Sequence, residues 1–184
     1  MQNRHVESGT GRQGFMKLTI IHPVTDEAMI HTLSALAHEI WNQHYVSIIG
    51  QAQVDYMLDK FQSPTVIREQ VESGHEYYLA LDGIEPVAYM SVVPDGGQLM
   101  LSKIYVKAGQ RSKGIGSRLL DLARARVREL NADKICLRVN RHNHNTMDWY
   151  QRKGFAICRE DCQSIGGGFS MDDYILELWV AQGT

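Results

Sequence analysis

Val106-Lys107-Ala108-Gly109-Gln110-Arg111-Ser112-Lys113-Gly114-Ile115-Gly116-Ser117-Arg118-Leu119-Leu120 carries the chain from an apolar, β-branched run into an amphipathic helix through a basic turn holding two closely spaced glycines. The run before it, Gln98 to Val106, reads as a strand. The helix after it is expected from Gly114 to about Leu130, with Ile115, Leu119, Leu122, Ala123, Val127 and Leu130 forming one apolar stripe. A helix start exposes unpaired backbone N–H groups and a partial positive charge, so it suits a phosphate. Gly114 and Gly116 keep side chains away from such an anion, and Lys107, Arg111, Lys113 and Arg118 add positive charge. A dinucleotide fingerprint would need a third glycine where Leu119 stands, and a Walker A loop from Gly109 would need Lys and Ser or Thr where Ile115 and Gly116 stand. A turn of this kind also opens ordinary helices that bind nothing.

Upstream, Glu76 to Leu81 and Pro86 to Val93 are two more strand-like runs. Asp82-Gly83 and Pro94-Asp95-Gly96-Gly97 separate the three, so a consecutive antiparallel meander is expected. Before it, Lys17 to His22 reads as a short strand. A helix follows, capped by Thr25 or Asp26, with Met29, Ile30, Leu33, Leu36, Ala37, Ile40 and Trp41 on one face. Val54, Met57, Leu58 and Phe61 mark a second helix, and Ser63-Pro64 opens a third that ends near Gly74. Downstream come a strand over Lys134 to Val139, a short helix over Asn145 to Lys153, and strands over Phe155 to Arg159 and Tyr174 to Val180. The glycine-rich stretch Gly166 to Asp173 reads as a flexible loop placed to close over a substrate. This order predicts one α+β domain, from residue 16 to 184, whose mixed, mostly antiparallel sheet is flanked by helices.

The composition is that of an ordinary globular domain: 184 residues, 43% hydrophobic and 22% charged, with a net charge of −2. That balance argues against a nucleic-acid partner held by bulk charge. No apolar stretch reaches the roughly 18 to 20 residues that span a bilayer. Met1 to Phe15 is polar, lacks the apolar core of a secretory signal, and is expected to be a disordered leader. Cys136, Cys158 and Cys162 make no CxxC pair, which suits a reduced, cytoplasmic protein. No Cys, His or carboxylate set has zinc-site spacing, so no metal is expected. His142 and His144, two apart in a polar turn, read as solvated rather than as a base or metal pair.

A second constellation stands from Asn143 to Phe155: Asn-His-Asn-Thr-Met-Asp-Trp-Tyr-Gln-Arg-Lys-Gly-Phe. Together the two segments resemble the GNAT superfamily of GCN5-related N-acetyltransferases. The family's acetyl-CoA loop, Arg/Gln-x-x-Gly-x-Gly/Ala, is matched by residues 111 to 116. Its later segment, Asn-x-x-Ala-x-x-x-Tyr-x-x-x-Gly-Phe, is matched from Asn143 except that Thr146 stands at the alanine position. The resemblance implies acetyl-CoA as cosubstrate. Its pantetheine arm would pair with the backbone of Ile104, Tyr105 and Val106, and its pyrophosphate would rest on Arg111, Ser112, Lys113, Gly114, Ile115, Gly116 and Ser117. Asn143 would hydrogen-bond it where the central strands splay. It further implies direct attack of an amine on the thioester, with Tyr150 at the position that assists the departing thiolate. Tyr150, with Met147 and Trp149, would equally serve to pack the helix on the sheet.

The base is not legible. Many family members carry a Glu near Lys103, where this chain has Lys. Glu39 in the first helix is a candidate, beside a chain of waters. The acceptor side is expected to hold Glu39, Asp55, Asp59, Asp172 and Asp173 among Trp41, Tyr45, Tyr56 and Phe169, a set that suits a cationic amine. In this the chain loosely resembles bacterial polyamine (spermidine-type) acetyltransferases; the same residues also build helix faces and homodimer contacts. The leading expectation is an acetyltransferase for a primary amine of a small molecule, a polyamine being one version. The alternatives are a protein N-terminal or lysine acetyltransferase and a non-catalytic CoA-binding protein.

Overall fold

Asp26 starts the first helix as expected: its carboxylate accepts from Met29 N at 2.8 Å, and α1 runs from Glu27 to His44. The structure, a computed structural model, describes residues 19–181. The expected leader and the first two residues of the strand expected from Lys17 lie outside them. Within them the order is β1 (Thr19–Pro23), α1, α2 (Val46–Ile49), α3 (Gln51–Gln62), α4 (Pro64–Glu72), β2 (Glu76–Asp82), β3 (Glu85–Asp95), β4 (Gln98–Val106), α5 (Ile115–Glu129), β5 (Lys134–Asn140), α6 (His144–Arg152), β6 (Ala156–Gly166) and β7 (Phe169–Trp179). The single-turn helix α2 has no periodicity of its own to read. Ser63 precedes Pro64 at the start of α4, but its side chain makes no capping bond.

The seven strands form one sheet in the order β1-β2-β3-β4-β5-β7-β6. Only β4 and β5 run parallel, so the expected mixed, mostly antiparallel α+β sheet is present. One core lies between the sheet and α5, where Ile115, Leu119, Leu120, Ala123 and Val127 are buried. Leu120 takes the central place expected for Leu122, which is only partly buried. A second core lies on the opposite face under α1, α3 and α4, built on Leu33, Ala37, Ile40, Val54, Leu58 and Ile67.

The last two strands are longer than expected, and the loop expected over Gly166 to Asp173 is a β-hairpin turn instead. Gly166, Gly167 and Gly168 have φ of 87°, 63° and 82°, which makes a tight reversal without side-chain strain. The polar stretch after Arg159 disguises β6 because it is an edge strand exposed along nearly its whole length. The hairpin is pinned to α3: Tyr56 OH donates to Ile165 O at 2.7 Å, Gln53 Nε2 donates to Ser170 O at 2.7 Å, and the Tyr56 ring packs at a tilt against Phe169. It is not a free lid.

Replacing the cap by Asp26→Ala should destabilise the fold by about 1 kcal/mol. Urea titration followed by circular dichroism would read this as a lower midpoint with an unchanged slope.

Candidate active site

Strand β4 pairs with β5 only from Gln98 to Leu101, opposite Lys134 to Leu137. Beyond that point β4 stays with β3 as far as Val106, while β5 stays with β7 as far as Asn140 opposite Asp173. The strands therefore part, and backbone groups of β4 facing the gap lose their β5 partners. At the same level Ser102 is an extra residue in β4: Ser91 pairs with Lys103 and Val92 with Leu101. Such a bulge reverses the alternation of faces. Leu101 and Ile104 consequently face the α5 core, whereas Tyr105 joins the α1 core and Lys103 reaches Tyr77.

Two cavities meet at this notch and share Tyr45 and Tyr105. The first, of about 590 Å³, is walled by Ile104, Tyr105 and Val106, by Arg111, Ser112 and Gly114 to Ser117, and by Thr146, Trp149 and Tyr150 of α6. No side chain caps α5; Arg118 N closes the first helical bond, to Gly114 O at 3.0 Å. The N–H groups of Ile115, Gly116 and Ser117 are thus left for a ligand. Gly114, with φ 79°, and Ser112, with φ 62°, form the turn that leads into this helix start.

Two expected cofactor residues sit elsewhere. Lys113 Nζ reaches Gln110 Oε1 at 2.8 Å and does not line the cavity. Asn143, only 3% exposed, lies behind the wall, its amide nitrogen 3.0 Å from His44 Nε2. His44 itself lines the cavity and was missed. It is the last residue of α1, and nothing local in the sequence says that this helix ends against the site. Burial first, then the charge of Arg111, lowers the pKa of His44. Tyr150 lines the same cavity, and burial raises its pKa well above the ordinary phenol range, so it keeps its proton at neutral pH.

The second cavity, of about 370 Å³, lies under α1 and α3. Of the five carboxylates expected there, only Asp173 lines it. Glu39 is exposed and pairs with Lys107 at 3.0 Å, which removes it from both cavities. Asp55 accepts from Gln51 at 2.7 Å, Asp172 pairs with Arg141 at 2.8 Å, and Asp59 is exposed. Trp41 and Tyr45 line the cavity, while Tyr56 and Phe169 brace the hairpin. Asp173 is 5% exposed, and burial pushes its carboxyl up to about 6 against the pull of Arg138. Lys103 and Arg138 add two cations, so the cavity is not the acidic one expected. His142 and His144 are exposed, and no metal-holding cluster occurs among the described residues.

Residues 33–155 match the model of the acetyltransferase (GNAT) family. The chain belongs to that family. Acetyl-CoA is the cosubstrate of GNAT enzymes, and this protein is an acetyl-CoA-dependent acetyltransferase. Solved structures share the fold at low identity. The PaiA N-acetyltransferase of Thermoplasma acidophilum, in complex with coenzyme A, is 20% identical, with a TM-score of 0.70 over 86% of this chain and 98% of its own. A GCN5-related N-acetyltransferase from Rhodopseudomonas palustris is 13% identical, with a TM-score of 0.75 over 90% of this chain and 98% of its own. The ribosomal-protein-S18-alanine N-acetyltransferase of Escherichia coli is 13% identical, with a TM-score of 0.66 over 91% and 97%. No curated protein matches the sequence. No described helix is long and apolar enough to cross a membrane.

The GNAT cosubstrate fits the first cavity on physical grounds. The uncapped start of α5 faces it, and Gly116 keeps it open: a Cβ there would lie 3.4 Å from the Trp149 ring and 3.7 Å from a Val106 methyl. Gly116→Val adds methyl groups beyond that Cβ and should weaken coenzyme A binding by about tenfold or more, a loss of roughly 1.4 kcal/mol. Calorimetric titration with coenzyme A measures it, and unchanged affinity would remove the first cavity as the cosubstrate site.

Proposed function

We propose that this acetyltransferase transfers the acetyl group directly to a primary amine of a small molecule that enters through the second cavity. The observation that carries the reading is the buried carboxylate of Asp173, on the wall of a cavity that meets the cosubstrate cavity at Tyr45 and Tyr105. A volume of about 370 Å³ is in the range of small-molecule sites, and the pinned β6–β7 hairpin, through Gln163, Ile165 and Met171, forms one side of it. That favours a small acceptor over a protein chain. A single carboxylate beside two cations does not favour a polyamine.

An alkylammonium ion has a pKa of about 10.4, some four units above that of Asp173, so outright deprotonation in the ground state is unfavourable. Asp173 instead draws the ammonium in by charge; the amine attacks from its neutral form, one proton having passed to solvent, and Asp173 takes a second proton from the nitrogen as the C–N bond forms, when that N–H becomes strongly acidic. Acetyl-CoA supplies the thioester carbonyl. The backbone N–H groups that β4 turns to the gap beyond Leu101 stabilise the developing oxyanion. Tyr150, held protonated by burial, donates a hydrogen bond to the departing sulfur. The thiolate of a thiol near pKa 8.5 is a much weaker base than this phenolate, so Tyr150 acts by hydrogen bonding rather than by giving up its proton.

Two measurements test these roles. Asp173→Asn should lower kcat/KM by about 10² to 10⁴-fold and abolish the acid limb of the pH profile. The sign follows from the raised carboxyl: wild-type activity should fall as pH drops through about 6, because the working form is ionised. Tyr150→Phe should reduce kcat by about tenfold to a hundredfold with little change in acetyl-CoA affinity. An Asp173→Asn enzyme with wild-type turnover and profile would overturn the assignment of the base.

A further inference from the structure

Lys103 is 8% exposed and lines the second cavity. Its ammonium donates to Phe61 O and Gln70 Oε1, each at 3.0 Å, and to the Tyr77 hydroxyl, all of them neutral acceptors. No carboxylate pairs with it among the described residues. A buried cation without a counter-charge is unfavourable, and here desolvation alone lowers its pKa to about 7. The other cation of the cavity, Arg138, already has Asp161 as its partner.

Beside it stands a second anomaly. Gln62 follows Phe61, the residue whose carbonyl holds Lys103, and its side chain lines the same cavity at 0% exposure. Neither its carboxamide nitrogen nor its oxygen has a hydrogen-bond partner. Ser34 bonds only the Gln62 main-chain oxygen, at 2.7 Å, so the backbone is satisfied while the side chain is not. Buried amides are almost always bonded, and this one belongs to a residue on the wall of the cavity that holds an uncompensated ammonium.

We infer that the acceptor carries a carboxylate remote from its reacting amine, received at the end of the cavity formed by Lys103 and the Gln62 carboxamide. A carboxylate supplies the charge that Lys103 lacks and an acceptor for the Gln62 N–H groups. Asp173, among Tyr45, Asn140 and Arg138 where the two cavities meet, then holds the amine end. The acceptor class is an amino acid or a similar short zwitterion rather than a polyamine. This rests on the reading that the second cavity admits the acceptor amine.

The test compares each amino acid with the amine left by its decarboxylation: lysine with cadaverine, ornithine with putrescine, 6-aminohexanoate with pentylamine. O-phosphoethanolamine is included as a phosphate-bearing amine. Thiol release from acetyl-CoA and the mass of the product are read for each. The carboxylated member of at least one pair should have a kcat/KM about tenfold or more above its partner. In Lys103→Met its KM should rise by about tenfold while the decarboxylated partner changes little; a purely structural lysine would impair both alike. Gln62→Leu should raise the same KM severalfold and leave Tm unchanged or higher, because it removes a buried unpartnered amide.

Equal turnover of both members of every pair overturns the carboxylate site while leaving amine acetylation standing. Preference for O-phosphoethanolamine alone overturns the carboxylate in favour of a phosphate. If no amine is turned over, the parent reading fails, and calorimetry with the coenzyme A-loaded protein decides the rest. Binding of the carboxylated members alone supports the site, and binding of neither member overturns it.

Discussion

The separation of β4 from β5 after four paired residues is the constraint on which the site depends. Had the parallel pairing continued past Leu101 and Leu137, their backbone groups would have closed on one another and the sheet would have had no notch. The bulge at Ser102 acts at the same level. It turns Lys103 and Tyr105 to the α1 face and Ile104 and Val106 to the α5 face, so four consecutive residues of one strand serve the two cavities. The walls of both cavities are therefore tied to one local irregularity of the backbone.

Opposite electrostatic solutions flank that notch. At the first cavity the feature suited to a phosphate is backbone: the uncapped N–H groups of α5, opened by Gly114 and Gly116, with Arg111 close by. At the second cavity the charges are side chains taken out of water, Asp173 and Lys103, each shifted by desolvation toward neutrality. A helix start carries its partial charge at no cost in burial. A buried ammonium does not, and replacing it with an apolar residue would ordinarily be neutral or stabilising. Stability alone therefore gives no reason for a lysine at position 103.

Much of this was legible in the residues. The meander, the α5 stripe and the basic glycine turn are carried by local patterns of two, three and four residues, and the motif from Asn143 to Phe155 adds the second wall. The acceptor side was not legible, because its members come from α1, α3, β4, β5 and β7 and are brought together only by the splay. Glu39 illustrates the limit. Its place on α1 is compatible with a cleft, but one turn of helix decides whether it meets the cavity or Lys107, and it meets Lys107. The run Gly166 to Asp173 failed for another reason: glycines that permit a loose loop equally permit a tight hairpin, and the choice is made by Tyr56 some hundred residues away, at a sequence separation of 109 from Ile165.

The wall between the cavities explains why α1 ends where it does. Trp41, Tyr45, Tyr89 and Tyr105 form a chain of rings, with Trp41 Nε1 donating to Tyr89 OH at 3.1 Å and the Tyr45 and Tyr105 hydroxyls 3.3 Å apart. Burial raises all three phenols, so each remains a neutral hydrogen-bonding group. His44, one residue before Tyr45, spans to Asn143 and thereby ties the end of α1 to the start of α6. The helix beside the second cavity is in this way fastened to the helix that carries Tyr150. A shift of α1 would therefore disturb the walls of both cavities, because His44 and Tyr45 at its end line the first and Trp41 and Tyr45 line the second.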